Sequence, residues 1–311
     1  MRETIMSTAL KPGDSAMRGA RRVLIEHIDS ALQSLQRRPL GDEAVHETRK
    51  EIKQTRAGLR LLREALGETA YRRLNRSVRD AARPLTPIRD AKVLRDVLDN
   101  VLQQAGKSTQ KIRTTKLHRA LQQERRSSRD ELSSEDLNAI SRRLREVKQR
   151  LRRLPNSRLD HALTEAALKR AYKKAHEAFV AAEEEPSNER LHEWRKQVKY
   201  HSHQLEFVRP LDPKRIGATI KRAHQLADHL GDDHDLALLH EKIALHATQA
   251  SPETVVTDAL VKKLERRRAK LQRKSYRLGK KLYADTPKQV AKRIGKYTDA
   301  WQQEQAGWLA P

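Results

Sequence analysis

Val45-His46-Glu47-Thr48-Arg49-Lys50-Glu51-Ile52-Lys53 and Leu191-His192-Glu193-Trp194-Arg195-Lys196-Gln197-Val198-Lys199 are one phrase written twice, 146 residues apart. His, Glu, Arg, Lys and the final Lys recur in register, and Leu59 and Leu205 keep the same offset. A second match comes after it in the same order: Leu85 to Leu94 (LTPIRDAKVL) pairs with Leu230 to Leu239 (LGDDHDLALL), which sets Asp90 against Asp235. Two ordered matches on either side of Pro155-Asn156-Ser157 describe a chain built from two similar halves, 1–155 and 156–311. Apolar residues recur at helical spacing along both halves, and nothing alternates with period two over a useful length. The expected fold is all-α: two similar helical bundles related by a pseudo-twofold axis.

The helix punctuation is legible. Thr86-Pro87, Ser251-Pro252 and Thr286-Pro287 each read as an N-cap followed by proline at the first helical position. Gly41-Asp42 and Gly231-Asp232 read as the end of one helix and the start of the next. Ser187 caps the helix after Pro186, and Ser133 with Asp136 resembles a capping box. These signals predict helices over 15–39, 43–66, 68–84, 87–105, 109–131, 134–154, 158–184, 188–209, 212–230, 233–249, 252–284 and 287–304.

Charge is arranged in stripes. In the helix opening near Glu43, His46, Arg49, Lys53, Arg56, Arg60 and Arg63 are spaced by three and four and share an arc of about 80°. Val45, Ile52, Leu59 and Leu66 fill the adjacent arc, the expected core face. A ladder of like charges weakens an isolated helix. Set beside the buried face rather than opposite it, the ladder belongs along a groove between helices. Arg72, Arg76, Arg79 and Arg83 make a second stripe, and His192, Arg195, Lys196, Lys199 and His203 a third. Arg266, Lys270, Arg273, Arg277 and Lys281 make a fourth, beside a seam of Leu260, Leu264, Leu271, Leu278 and Leu282. An 18-residue stripe is about 26 Å long, a shape suited to a long repeating anion. Arginine forks grip phosphate oxygens in pairs and lysine adds mobile point charge.

Composition agrees. The 311 residues hold 66 Lys and Arg against 41 Asp and Glu, a formal charge of +25, so a polyanionic partner is expected. Aromatic residues are 4% of the chain, too few for the stacking platforms of single-strand nucleic-acid binders. No helix-turn-helix, zinc-finger or RNA-recognition signature is present, although charge alone permits nucleic-acid binding. With no cysteine, disulfides and thiolate metal sites are excluded. The first residues lack a signal-peptide apolar stretch and no apolar run is long enough to span a bilayer, so a cytoplasmic protein is expected. Among Asp228, His229, Asp232, Asp233, His234 and Asp235, Asp232 and Asp233 are read as helix-capping groups and His229 precedes a break, and no protein-bound metal or other cofactor is expected. Walker loops, Gly-rich phosphate cradles and Ser-His-Asp order are missing, so an enzyme is not expected; one acting on phosphoanhydrides is the weaker alternative. Trp194 reads as core.

The pattern His-x-x-Arg-Lys-x-x-Lys, opening a basic helix in each half, resembles the CHAD domain (conserved histidine α-helical domain). Arg89-Asp90 and His234-Asp235 look like the family's second landmark in each half, and the resemblance runs from about Met17 to Trp301. It implies two four-helix bundles with internal pseudo-symmetry around a basic central groove or pore. It also implies binding of inorganic polyphosphate and association with polyphosphate granules, as a scaffold or targeting module. By that match, His46, Arg49, Lys53, His192, Arg195 and Lys199 bind phosphate. With Lys50 of the motif and the stripes added, the candidate set also takes in Lys50, Arg56, Arg60, Arg72, Arg76, Arg79, Arg83, Lys196, His203, Arg273 and Arg277. Divalent cations are expected to arrive with the polyphosphate. The chain departs from the family pattern at Tyr200-His201-Ser202-His203, at Gln54 and Thr55, at Lys92, and at Thr86, which stands where the second half has Gly231.

Overall fold

The computed structural model describes residues 9–103, 115–154, 161–249 and 258–308. The midpoint Pro155-Asn156-Ser157 and the expected Ser251-Pro252 cap lie outside them. All regular structure is helical, with no strand among the described residues. The first half holds α1 (Ala16–Gln36), α2 (Asp42–Leu61), the single turn α3 (Arg63–Leu66), α4 (Glu68–Ala82), α5 (Thr86–Gln103), α6 (Thr115–Asp130) and α7 (Ser134–Arg152). The second holds α8 (His161–Glu184), α9 (Asn188–Phe207), α10 (Pro213–Gln249), α11 (Asp258–Leu282) and α12 (Pro287–Trp308).

Local chemistry fixes most of the ends. Ser133 and Asp136 form the reciprocal capping box, and the Ser187 hydroxyl accepts from the Arg190 amide at 3.2 Å. Thr286 does both jobs at the start of α12. Its hydroxyl accepts from the Gln289 amide at 3.2 Å, and the Gln289 side-chain carbonyl accepts from its own amide at 2.7 Å.

Three expected signals work differently. At the start of α2 the N-cap is Gly41, and Asp42 lies inside the helix. Its carboxylate accepts from Arg125 at 2.5 Å and Arg129 at 2.7 Å, both on α6. Thr86 is no cap either. It is itself helical, entered from a 3-10 turn at Arg83–Leu85, and its hydroxyl donates to the Ala82 carbonyl at 3.2 Å. The expected stop at Gly231-Asp232 does not occur, because α10 runs straight through it. Gly231 is buried inside the helix, and the Arg195 guanidinium lies across it. Asp233, expected to cap, is 1% exposed and instead accepts from Arg268 at 3.1 Å and Gln272 at 3.0 Å of α11. With its carboxylate satisfied by a neighbouring helix, nothing remains to break α10.

Helices α1, α2, α4 and α7 close a ring in the first half, and α8, α9, α10 and α12 are their counterparts in the second. The apolar faces of both rings join one continuous core. Val45, Ile52 and Leu59 of α2 and Leu191, Trp194, Val198 and Leu205 of α9 are buried in it, so the arc beside each basic stripe is the packed one. A second core stands apart. It is built from both halves: Leu94, Leu98 and Val101 of α5, Leu117 and Leu121 of α6, Leu236, Leu239 and Ile243 of α10, and Leu260, Leu264 and Leu271 of α11. The leucine seam of α11 therefore serves two cores, because Leu282 belongs to the first.

This packing has two measurable consequences. At Gly279 an added Cβ would lie 2.7 Å from Trp194 and 2.8 Å from Phe179, both ring atoms with no room to retreat. Gly279→Ala should cost about 1–3 kcal/mol, read as a lower midpoint in urea unfolding. His201 is 2% exposed, and burial pushes its imidazole down from 6.5 to about 4. The folded state holds it neutral while the unfolded chain protonates it. Stability should therefore fall as pH drops from about 6.5 to about 4, and His201→Gln should flatten that slope.

Candidate functional site

Helices α2 and α9, which carry the repeated phrase, pack against each other at the centre of the molecule, and α5 packs against α10 beside them. The Gln204 side-chain amide donates to the Ala57 carbonyl at 3.3 Å and ties α9 to α2. Arg60 of α2 lies over the ring of Tyr200 on α9, 3.6 Å from its centroid. Both contacts cross between the halves and set the distance between the two basic faces.

Those faces line a central cavity of about 360 Å³. The first half supplies Arg49, Lys53, Arg56, Arg89 and Asp90, and the second Arg195, Lys196, Lys199, His192, His203, His234 and Asp235. Seven Lys and Arg side chains thus face two carboxylates. A second opening of about 370 Å³ shares Arg49, Lys53, Arg56 and Thr86 with the first and adds Arg79 and Arg83. The slot therefore runs from α9 and α10, across α2, to the elbow between α4 and α5.

The two repeated arginines are placed by different means. Arg49 donates to the Thr86 hydroxyl at 2.6 Å and to the Ala82 carbonyl at 3.3 Å, which holds it against the elbow. Arg195 has no such hydroxyl, since Gly231 stands at the matching position. A Cβ there would come within 3.3 Å of the Arg195 Nε, so the missing side chain lets the guanidinium lie close on the unbroken helix.

The electrostatics are those of a crowded positive site. Lys53 is reached by solvent from the cavity yet enclosed on most sides. Burial, reinforced by Arg49, Lys199, Arg195 and Arg89, brings its ammonium down to about 8. Lys199 moves the same way through burial and Arg195. Burial raises the carboxyls of Asp90 and Asp235, against the pull of the surrounding arginines. The His192 and His234 rings lie 4.4 Å apart. Burial and neighbouring cations lower both, His234 to about 4. His46 sits at the exposed end of the stripe, lowered by burial and by Arg89. These histidines are therefore neutral near pH 7, and an anion entering the slot would favour proton uptake.

The structure brings together Arg49, Lys53, Arg56, Arg79, Arg83, His192, Arg195, Lys196, Lys199 and His203. His46 and Lys50 stand beside them, with Lys50 donating to Glu47 at 3.1 Å. Arg60 is committed to Tyr200. Four expected residues do not join. Arg72 and Arg76 of α4 and Arg273 and Arg277 of α11 are exposed and lie outside the cavity. Arg72 pairs with Glu68 in its own helix. Helix α11 turns Arg268, Gln272 and its leucines inward, which leaves the Arg273 and Arg277 face to solvent. His203 lines the cavity but also contacts Glu206 at 3.0 Å. Arg89, Asp90, His234 and Asp235 line the cavity without having been in the expected set. The signal for them was available, since the second sequence match aligns Asp90 with Asp235 and Arg89 with His234.

Comparison with known proteins bears on the whole arrangement. Residues 22–244 match the CHAD domain family. A similar solved structure is the crystal structure of the CHAD domain from the plant Ricinus communis. It is 15% identical in sequence with a TM-score of 0.59, and the match covers 93% of this chain and 94% of that one. No curated protein matches the chain. The family match spans both repeated phrases and both cavity-lining landmarks, and the chain belongs to the CHAD domain family.

Proposed function

We propose that this chain binds inorganic polyphosphate in the central cavity and works as a scaffold or targeting module at polyphosphate granules in the cytoplasm. One observation carries the reading: seven cationic side chains from both halves converge on two carboxylates, at a cost visible in the lowered proton affinity of Lys53. A chain of phosphates entering the slot would relieve that repulsion along its length. The slot between helices fits a bare phosphate chain better than a duplex, which favours polyphosphate over nucleic acid. No reaction is assigned to the site, and divalent cations would come with the polyphosphate. Among the described residues no helix is long and apolar enough to cross a membrane.

In a competition titration at matched phosphate concentration and physiological salt, long-chain polyphosphate should outbind a random DNA duplex by about tenfold or more. Equal or better DNA binding would hand the lead to the nucleic-acid reading. Lys53→Glu combined with Lys199→Glu should weaken polyphosphate binding by about a hundredfold while leaving helicity unchanged. An unchanged affinity would place the phosphate chain elsewhere.

The pH dependence has a definite sign. Bound phosphate raises the proton affinity of Lys53 above its free value of about 8, and raises that of His192 and His234 as well. Affinity should rise as pH falls from about 10 to 8, and rise again between about 7 and 5. Calorimetry in buffers of different ionisation enthalpy should record net proton uptake on binding at pH 8. Its absence would rule the lysine out of the charged contact.

A further inference from the structure

The two halves differ where their rings close. In the first half α4 packs on α7 along its length. In the second, the corresponding pair α10 and α12 barely touch, and a cavity of about 700 Å³ opens between them. It is separate from the central slot and shares no lining residue with it. That volume is in the range of small-molecule sites.

The walls are divided in character. The floor is apolar, with buried Tyr172 of α8, Leu205 of α9 and Ile294 of α12, and the half-buried Tyr297 of α12 is its accessible aromatic ring. His201 of α9 lines it too. Its ring meets Tyr172 edge-on at 5.6 Å, and its buried Nδ1 has no hydrogen-bond partner. The rim is cationic. Arg215 is paired with Asp212 at 3.2 Å and Arg293 with Asp285 at 2.5 Å. Arg222, Lys281, Lys292 and Lys296 are exposed and carry no ion pair among the described residues. Four unpaired cations over an apolar floor with one accessible aromatic ring define a ligand with two ends, one polyanionic and one flat and weakly polar. A bare phosphate polymer would leave the floor unused, and an apolar ligand would leave the rim uncompensated.

We infer that the cleft between α10 and α12 binds a nucleoside di- or triphosphate, with the base against Tyr297 and the phosphates on Arg222, Lys281, Lys292 and Lys296. Base stacking on an aromatic face and charge-assisted bonds to phosphate would act together.

The test is calorimetric titration of the full chain with ATP and, separately, with inorganic tripolyphosphate. Three proteins are compared: the unaltered chain, Lys292→Glu with Lys296→Glu at the cleft, and Lys53→Glu with Lys199→Glu in the central slot. The cleft variant should lose about tenfold or more of ATP affinity, and the slot variant should keep it. In the unaltered chain the cleft should bind ATP about tenfold more tightly than tripolyphosphate, the contribution of the base. ATP affinity untouched by the cleft variant, or lost only in the slot variant, would overturn the inference. So would equal affinity of the unaltered cleft for ATP and tripolyphosphate, because the aromatic ring would then have no role. Because the slot variant reports on polyphosphate independently, failure here leaves the central site's reading standing, and the reverse also holds.

Discussion

The rest of the molecule depends on a repulsion. Arg49, Lys53, Arg195 and Lys199 face one another across the α2–α9 pair, and partial enclosure with the neighbouring cations brings the Lys53 ammonium down to about 8. Such a cluster would drive the two helices apart if nothing opposed it. The opposition comes from the reverse side of each helix. Val45, Ile52 and Leu59 on α2, and Trp194, Val198 and Leu205 on α9, are buried in a common apolar core. Asp90 and Asp235 supply partial compensation from α5 and α10. Hydrophobic burial thus holds in place a charge pattern that repels itself.

Both halves solve the same placement problem with different chemistry. Arg49 is held by a hydroxyl at an elbow, where the chain leaves α4 through a 3-10 turn and enters α5. Arg195 is accommodated by the missing side chain of Gly231 on a helix that never breaks. What the repeat preserves is the direction of the guanidinium into the slot, and the backbone route to it differs. The same freedom shows at the ring closures, where α7 seals the first half and α12 stands away from α10 in the second.

Much of this was legible in the sequence because helix periodicity fixes angles around an axis. The arc of Arg49, Lys53 and Arg56 beside Val45, Ile52 and Leu59 put the cations at the edge of the core, and they are there. Periodicity does not say which helix lies on the far side of that edge. Arg273 and Arg277 obeyed the same rule on α11, but among the described residues no helix covers them, and they are exposed. Gly231-Asp232 was misread for a related reason. A glycine before two aspartates ends a helix when its neighbours are water. Here the half-buried Arg195 and the Arg268–Asp233 pair occupy those positions. Tyr200-His201-Ser202-His203 departed from the family pattern, and the structure accounts for three of the four. Tyr200 supports Arg60, His201 lines the peripheral cavity, and His203 turns to Glu206.

The unbroken α10 has an architectural consequence. At 37 residues it is about 55 Å long. Its first turns form one wall of the peripheral cleft with Arg215 and Arg222, its middle presents His234 and Asp235 to the central slot, and its last third carries Leu239 and Ile243 into the shared core. With Gly231 packed under Arg195, the helix continues unbroken past the slot, so one straight element borders both cavities and joins the second core.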